Sequence, residues 1–173
     1  MKNIAVVYKS IYGTTKQYAE WIAEELDASL FKASSVKPTQ LMDYDIIVYG
    51  GGLYAGGILG VKLVKKNPCK SLIVFTVGLA TPETTDYSEI LSKNFTAEQL
   101  ENTKIFHFHG GMDYKKLNIL HRVLMFLKKK ETEKTPMAER VSDDHQLLET
   151  YGDKVDFTDK DTIKPLVDYV RTL

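Results

Sequence analysis

Five short apolar runs recur along the chain, and the stretches between them carry apolar residues at helical spacing. The runs cover residues 4–8, 30–33, 46–49, 72–77 and 105–108, and each is apolar or aromatic along most of its length. Strands of this kind are buried on both faces, as in a parallel sheet covered by helices. The pattern predicts an α/β, doubly wound domain built on a five-stranded parallel sheet with helices on both faces.

Two helices between the runs and one at the end are predicted from the positions of their apolar residues. Residues 15–26 form the first and residues 59–66 the second, in which Leu59, Leu63 and Val64 share a face. The last helix is predicted to begin at Thr158, which has Asp161 three residues on, as in a capping box. The chain has no repeat, low-complexity tract or proline-rich linker, so residues 1–173 are expected to form a single domain.

The balance of charged residues and the single cysteine limit the class of partner and the compartment. Lys and Arg total 23 and Asp and Glu total 23, so no overall charge favours nucleic acid, which is not expected as a partner. Cys69 alone cannot form an intramolecular disulfide, which is typical of a reducing compartment. The chain enters its first strand at once and has no apolar run long enough to cross a bilayer, so a cytoplasmic location is expected.

A hydroxyl-rich loop joins the first predicted strand to the first helix. Its residues are Ser10, Ile11, Tyr12, Gly13, Thr14 and Thr15. Free backbone amides and the positive end of the helix dipole meet at such a junction, so the loop is a candidate phosphate site. The P-loop pattern, in which a lysine follows the glycine, is absent. The alternative interpretation is that these residues only cap the helix.

Glycine-rich segments follow the third, fourth and fifth runs, at the predicted carboxyl edge of the sheet. The candidate ligand-binding residues there are Gly52, Leu53, Tyr54, Ala55, Gly56 and Gly57, then Val77, Gly78, Leu79, Ala80 and Thr81, and finally Tyr114. Open parallel sheets bind ligands at this edge. Backbone without side chains permits close approach of a flat ligand, and Tyr54 or Tyr114 offers a stacking surface. The alternative is that the glycines only make tight turns.

Three other ligand-binding or catalytic patterns are excluded by missing residues. Gly50, Gly52 and Ala55 have the spacing of a dinucleotide fingerprint, but they are not on the first turn, and no acidic residue follows about twenty positions on. A phosphoacceptor receiver needs an aspartate at the carboxyl end of its third strand, where this chain has glycine. A low-molecular-weight phosphatase needs a Cys after the first strand with an Arg six positions on, but Cys69 precedes the fourth strand and Phe75 stands at the Arg position.

His107 and His109 flank Phe108 in the fifth run, a spacing that places both imidazoles on one face of a strand. Two imidazoles could bind a metal ion. No carboxylate or thiol follows at a matching interval, so we expect buried or hydrogen-bonded histidines and no metal site. His121 and His145 belong to no constellation in the sequence.

The hydroxyl loop and the glycine-aromatic loops together resemble those of the flavodoxin family, and the resemblance spans nearly the whole chain. The family's phosphate loop, Ser/Thr-x-Thr-Gly-x-Thr, maps onto Ser10, Tyr12, Gly13 and Thr15, with Tyr12 in place of the usual Thr. The resemblance implies a sheet order of 2-1-3-4-5 and FMN as cofactor, with its phosphate in the first loop and its ring held by residues 52–57 and 77–81. It also implies an electron carrier or an oxidoreductase in which the flavin performs the chemistry.

The second half of the chain is similar to the menaquinone-dependent protoporphyrinogen oxidase branch of flavodoxin-like proteins. The resemblance lies in residues 108–114 and in a long insertion, about residues 114–156, before the last helix. It implies oxidation of protoporphyrinogen with a quinone as the electron acceptor. The broader flavodoxin resemblance implies instead a protein that donates or accepts electrons.

The insertion contains a predicted helix over residues 117–130 that is both apolar and basic. Leu117, Leu120, Leu124 and Leu127 form one stripe, and Arg122, Lys128, Lys129 and Lys130 supply positive charge. We expect the stripe to pack on the domain or in a homodimer contact. The alternatives are that the helix lies on an anionic membrane, where a menaquinone would be found, or that the chain is a non-catalytic module that binds a partner through it.

Overall fold

The computed structural model describes residues 2–65 and 70–173, and within them the central sheet has six strands. The strands are β1 (Ile4–Lys9), β2 (Ser29–Lys32), β3 (Ile46–Tyr54), β4 (Gly57–Ile58), β5 (Ser71–Gly78) and β6 (Thr103–His109). Five of them are parallel in the order β2-β1-β3-β5-β6, which confirms the predicted order, and β4 pairs antiparallel with β3. Cys69, from which a reducing compartment is predicted, lies outside the described residues, and so does Lys66, the predicted end of the second helix.

Helices cover both faces of this sheet. They are α1 (Thr14–Leu26), α2 (Pro38–Leu41), α3 (Lys62–Lys65), α4 (Ser88–Asn94), α5 (Ala97–Glu101), α6 (Ile119–Lys134), α7 (Ser142–Thr150) and α8 (Lys164–Thr172). On one face, α1 and α8 bury Tyr18, Ile22 and Leu166 against Val6 and Phe75. On the other face, Leu41, Val64 and Phe95 pack on the alternate strand residues, Val7, Ile47 and Val74. Full burial of each such side chain contributes about 1.5–3 kcal/mol, which is why the strands are apolar on both faces.

Three of the predicted helices have wrong boundaries. The helix predicted over residues 117–130 covers Ile119–Lys134 as α6. The helix expected over residues 59–66 begins only at Lys62, because Gly60 has a φ of +73° and Leu59 lies in a turn, where its carbonyl accepts a hydrogen bond from the Tyr49 hydroxyl. Thr158 does not cap the last helix, since its hydroxyl donates to Asp156 Oδ1 at 2.8 Å. Asp159 instead accepts from the amide of Asp161 and starts a 3-10 turn, Lys160–Ile163, that leads into α8.

The insertion is closed at its base by a short antiparallel ladder. Strands β7 (Gly111–Asp113) and β8 (Lys154–Asp156) pair so that Gly111 faces Asp156 and Asp113 faces Lys154. Between them, α6 and α7 contact each other. The segment therefore leaves and rejoins the domain at one place beside the carboxyl end of β6.

The expectation that the apolar stripe of α6 packs on the domain is wrong for most of the stripe. Leu117 is buried at 4% exposure, but Leu120 and Leu127 are 61% and 56% exposed. The helix instead buries His121 and Thr132. Both lie on the side opposite the exposed apolar residues, and Met125 on that inner side is partly buried.

Candidate functional site

The carboxyl ends of β1, β3, β5 and β6 meet at one edge of the sheet and bring three predicted loops together. Lys9 pairs with Gly51 and Gly52 with Val77 in the parallel registers. A Cβ atom at Gly52 would lie 3.3 Å from Thr15 Oγ1, so the first two loops are in contact there. Leu53 packs on Gly78 in the same way, which joins the second loop to the third. We call these segments the hydroxyl loop (residues 10–15), the hairpin loop (52–57) and the third loop (77–81).

The hydroxyl loop leaves the start of α1 open to an anion. Gly13 is the N-cap residue, with φ at +104°, and no side chain caps the helix. The first turn contains no acidic residue. The Gly13 amide donates to Ser10 Oγ at 3.0 Å, and the first intrahelical bond runs from Gln17 to the Gly13 carbonyl. The amides of the first turn before Gln17 therefore have no intrahelical acceptor, which is the arrangement that binds phosphate at helix N-termini.

The hairpin loop is the end of a β-hairpin rather than an irregular loop, so the expectation that β3 ends at Tyr49 is wrong. Leu53 pairs with Ile58 and Tyr54 with Gly57. Ala55 and Gly56 have φ values of +47° and +76°, as in the type I′ turns that join antiparallel strands. The glycines that imitate a dinucleotide fingerprint thus lie in a strand, where a Cβ at Gly50 would overlap the Phe75 ring.

Asn94, at the end of α4, fixes the hairpin turn in position. Its Nδ2 donates to the Gly56 carbonyl at 3.0 Å, and its Oδ1 accepts from the Ile58 amide at 3.1 Å. The turn peptide at Ala55–Gly56 is thereby presented at the sheet edge in one orientation. Sequence reasoning did not identify Asn94, because its contact with Gly56 spans 38 residues.

The third loop is held by the last residue of β6 and by the residue after it. The Gly78 carbonyl accepts from the Gly110 amide at 2.6 Å, and the Leu79 carbonyl lies 3.0 Å from His109 Nε2. The ring of His109 also stacks on Phe157, with centroids 4.4 Å apart. His109 is therefore a hydrogen-bonded residue that positions the loop.

His107 lies deeper in the same strand. Its Nδ1 is 2.6 Å from Thr76 Oγ1, and its ring stacks on Tyr87 with centroids 3.6 Å apart. Burial lowers the pKa of His107 to about 4, so the imidazole is neutral near neutral pH. Within residues 2–65 and 70–173, no group of three or more His, Cys, Asp or Glu side chains is placed to hold a metal ion.

The insertion reaches all three loops through two side chains. His121, 8% exposed, forms a hydrogen bond between its Nδ1 and the Tyr12 hydroxyl of the hydroxyl loop. Its ring also lies 4.5 Å from that of Tyr54 in the hairpin loop. Asp143 of α7 accepts from the Thr81 amide at 3.2 Å in the third loop. The sequence gives no local sign of these contacts, although Asn118 marks the start of α6 and so places His121 in its first turn.

Tyr114, the last predicted site residue, lies inside the insertion. Its ring packs edge-on against Tyr151 at 5.0 Å, and burial raises its pKa to about 12. In the described part of the chain, no hydrogen bond or ring contact joins Tyr114 to the three loops. Its assignment as a ligand-stacking residue stays a prediction.

Comparison with known proteins assigns the chain to a family. The family model described as flavodoxin domain matches residues 5–139. An uncharacterized protein of Methanocaldococcus jannaschii is 26% identical over 124 residues, which cover 62% of this chain and 83% of that protein.

Two solved structures are similar at lower coverage or identity. The flavodoxin, WrbA-like protein from Agrobacterium tumefaciens is 26% identical with a TM-score of 0.40, over 48% of this chain and less than two thirds, 64%, of that chain. A flavoprotein in complex with FMN from Lactobacillus acidophilus is 15% identical with a TM-score of 0.42, over 63% of this chain and 93% of that chain. The assignment therefore rests on the family match, which covers most of the chain and all three loops. This protein belongs to the flavodoxin domain family of FMN-binding redox proteins.

Proposed function

We propose that this protein is an FMN-dependent oxidoreductase whose substrates reach the flavin beside the insertion. The hydroxyl loop would hold the phosphate, and the hairpin loop and the third loop would hold the ring. The observation that carries the proposal is the uncapped start of α1, with no acidic side chain in its first turn, in contact with Gly52 of the hairpin loop at the same sheet edge. Bound FMN would supply the redox chemistry, and the chain would bind, orient and shield it.

The residues present fit this group. A phosphate dianion matches the free amides and the positive dipole end of α1, where the Ser10 hydroxyl lies 3.0 Å from the Gly13 amide. Gly52 and Gly78 let the three loops pack together at one place, because Thr15 and Leu53 lie where a Cβ atom would otherwise project. Tyr54, partly exposed, is the aromatic surface of the hairpin loop.

For the electron donor and acceptor we propose protoporphyrinogen and a quinone. One support is the similarity of residues 108–114 to the menaquinone-dependent protoporphyrinogen oxidase branch. The other is an insertion that contacts every loop of the site. An insertion beside the bound flavin would add a surface that could select a large substrate, which the three loops alone do not provide. An electron-transfer protein is the competing partner, and the assays below distinguish the two.

We also propose that α6 rests on an anionic lipid surface, where a quinone would be dissolved. Its exposed apolar residues are Ile119, Leu120, Val123, Leu124, Phe126 and Leu127. At 100° per residue they fall within an arc of about 160°. The helix carries five basic residues and two acidic ones, a formal charge of +3, and this matches a negative surface. No described helix is long and apolar enough to span a bilayer.

Spectroscopy with FMN tests the proposed function first. Purified protein titrated with FMN is expected to quench flavin fluorescence at stoichiometric amounts and to give a bound-flavin visible spectrum. Loaded protein is then expected to form porphyrin from protoporphyrinogen only when a quinone is present. A protein that takes up no FMN would overturn the redox proposal and leave the alternative, a partner-binding module that acts through α6.

If FMN binds but porphyrin formation does not depend on quinone, the substrate proposal fails while the redox role stands. In that case, oxidation of the loaded and reduced protein by a second protein would identify an electron carrier. A concentration-dependent dimer in ultracentrifugation would assign the exposed face of α6 to a second copy of the chain.

A further inference from the structure

His121 is the one imidazole that the insertion places against the hydroxyl loop. Asn118 Oδ1 accepts from the His121 amide at 2.8 Å, and the neighbouring Leu117 is buried at 4% exposure. The Arg122 guanidinium donates to the Lys115 carbonyl at 3.1 Å. These local contacts order the start of α6, and the His121 ring has a defined place against Tyr12 and Tyr54 of two loops.

The hydroxyl loop lacks a cation of its own. Residues 10–15 include no Lys or Arg. Lys16, which follows directly, is paired with Glu20 at 2.7 Å. Ser10 Oγ already accepts from the Gly13 amide. A phosphate bound there would rely on helix amides and on hydroxyl donors, and Tyr12 carries the longest hydroxyl side chain of the loop.

The direction of the Tyr12–His121 hydrogen bond depends on the imidazole tautomer. When Nδ1 carries a proton, it donates to the phenol oxygen, and the phenol O–H is then free to donate to an anion. When Nδ1 is unprotonated, the phenol donates to it and has no proton left for a phosphate. The protonation of His121 Nδ1 thus decides whether the Tyr12 hydroxyl can donate to a phosphate bound at the hydroxyl loop.

We propose that His121 is a phosphate-positioning residue of the FMN site and that it acts through Tyr12. Its Nδ1–H donates to the Tyr12 oxygen, and the Tyr12 hydroxyl donates to the FMN phosphate. The inference rests on the proposed FMN function and adds to it that the insertion completes the cofactor site. FMN and the ordered insertion consequently stabilise each other, because each supplies a partner to the same hydroxyl.

Comparison of FMN with riboflavin isolates the phosphate, because riboflavin has the same ring and no phosphate. Dissociation constants for both ligands would be measured by fluorescence titration of wild type, Tyr12→Phe, His121→Phe and the double variant. His121→Phe keeps an aromatic ring beside Tyr54 and removes both nitrogens. His145→Gln, in α7 of the same insertion, is the matched control.

We expect Tyr12→Phe to weaken FMN about tenfold, the cost of one hydrogen bond to a charged group, and to leave riboflavin unchanged. His121→Phe should weaken FMN less than Tyr12→Phe does, because the phenol hydroxyl remains but is no longer held in place. The double variant should be no weaker than Tyr12→Phe, since His121 acts only through the Tyr12 hydroxyl. His121→Gln, whose side-chain amide can donate to the phenol, should restore part of the preference for FMN. His145→Gln should match wild type.

Two results would overturn the inference while leaving the proposed function intact. One is wild-type affinity for FMN in Tyr12→Phe and His121→Phe. The other is an equal loss of FMN and riboflavin, which would mean that His121 only packs against the loops. Tyr12→Phe removes a single oxygen, so its ratio of FMN to riboflavin dissociation constants can be measured even if His121→Phe fails to fold. Absence of FMN binding by wild type would remove both proposals.

Discussion

Helices α8 and α6 bury opposite kinds of side chain. Helix α8 buries Leu166 and Val167 against the sheet, as expected for an amphipathic helix. Helix α6 buries His121 and Thr132 and turns its apolar side outward. The hydrophobic effect thus holds the sheet domain together, whereas polar contacts with the loops orient the insertion. The apolar surface that α6 does not use for folding is available to a partner.

The largest expected difference is in the free energy of unfolding, when Phe is replaced by Ala in the sheet and in α6. Phe75 is fully buried between β3 and α1, and Phe75→Ala is expected to lower the free energy of unfolding by about 3–5 kcal/mol through a cavity. Phe126 is 48% exposed on α6, so Phe126→Ala should change it by less than about 0.5 kcal/mol. Urea unfolding measures both. Similar losses would show that α6 is part of the folding core.

The membrane proposal for α6 predicts the next largest effect. Leu120→Ser combined with Leu127→Ser should weaken binding to vesicles that contain phosphatidylglycerol by about a hundredfold, because two leucines no longer enter the lipid. Co-sedimentation gives the partition constant, and Met42→Ser, exposed elsewhere on the domain, is the control. Wild-type protein that stays in the supernatant with anionic vesicles would contradict the proposal.

The partly buried imidazole of His107 in β6 offers a test by pH. Burial lowers the pKa of His107 to about 4 from an ordinary value of 6.5, so between these values the unfolded chain binds more protons than the folded one. Stability should therefore fall as the pH drops through this window. Because the imidazole is partly accessible, its share is about 1–2 kcal/mol. Urea unfolding across the window should show a flatter profile for His107→Gln than for His145→Gln.

The contact between Asp143 and the third loop predicts the smallest effect. Asp143→Ala removes the acceptor of the Thr81 amide, and local opening should become easier by about 1 kcal/mol. Hydrogen exchange of the peptide that contains Thr81 should then be about fivefold faster. Glu149→Ala, at an exposed site of α7, should exchange like wild type. Unchanged exchange in Asp143→Ala would mean that the insertion does not hold this loop.

The sheet could be predicted from the sequence because burial on both faces requires continuous apolar runs. The order β2-β1-β3-β5-β6 and the family are confirmed. The strand extension through Gly51 and Gly52 was not predictable, because glycines have low strand propensity and the extension depends on packing and on the hairpin with β4. Short helices such as α4 and α5 have too few turns to show a period.

The loops of the candidate site could also be located, since their composition stands out at the ends of apolar runs. The role of His121 could not be predicted, because its hydrogen bond to Tyr12 joins residues 109 positions apart. The position of the apolar stripe of α6 was misjudged for a related reason. An amphipathic pattern shows that a face is apolar and says nothing about which face the rest of the chain covers.

The β7–β8 ladder brings the two ends of the insertion together, so the segment between them can be exchanged. Asp113 and Lys154 are paired residues, so their Cα atoms lie about 5 Å apart and a two-residue turn could join the strands directly. The parallel sheet would keep its own pairings in such an exchange, while the three loops would lose the contacts of His121 and Asp143. The insertion can thus be replaced to change how the loops are held without altering the sheet that presents them.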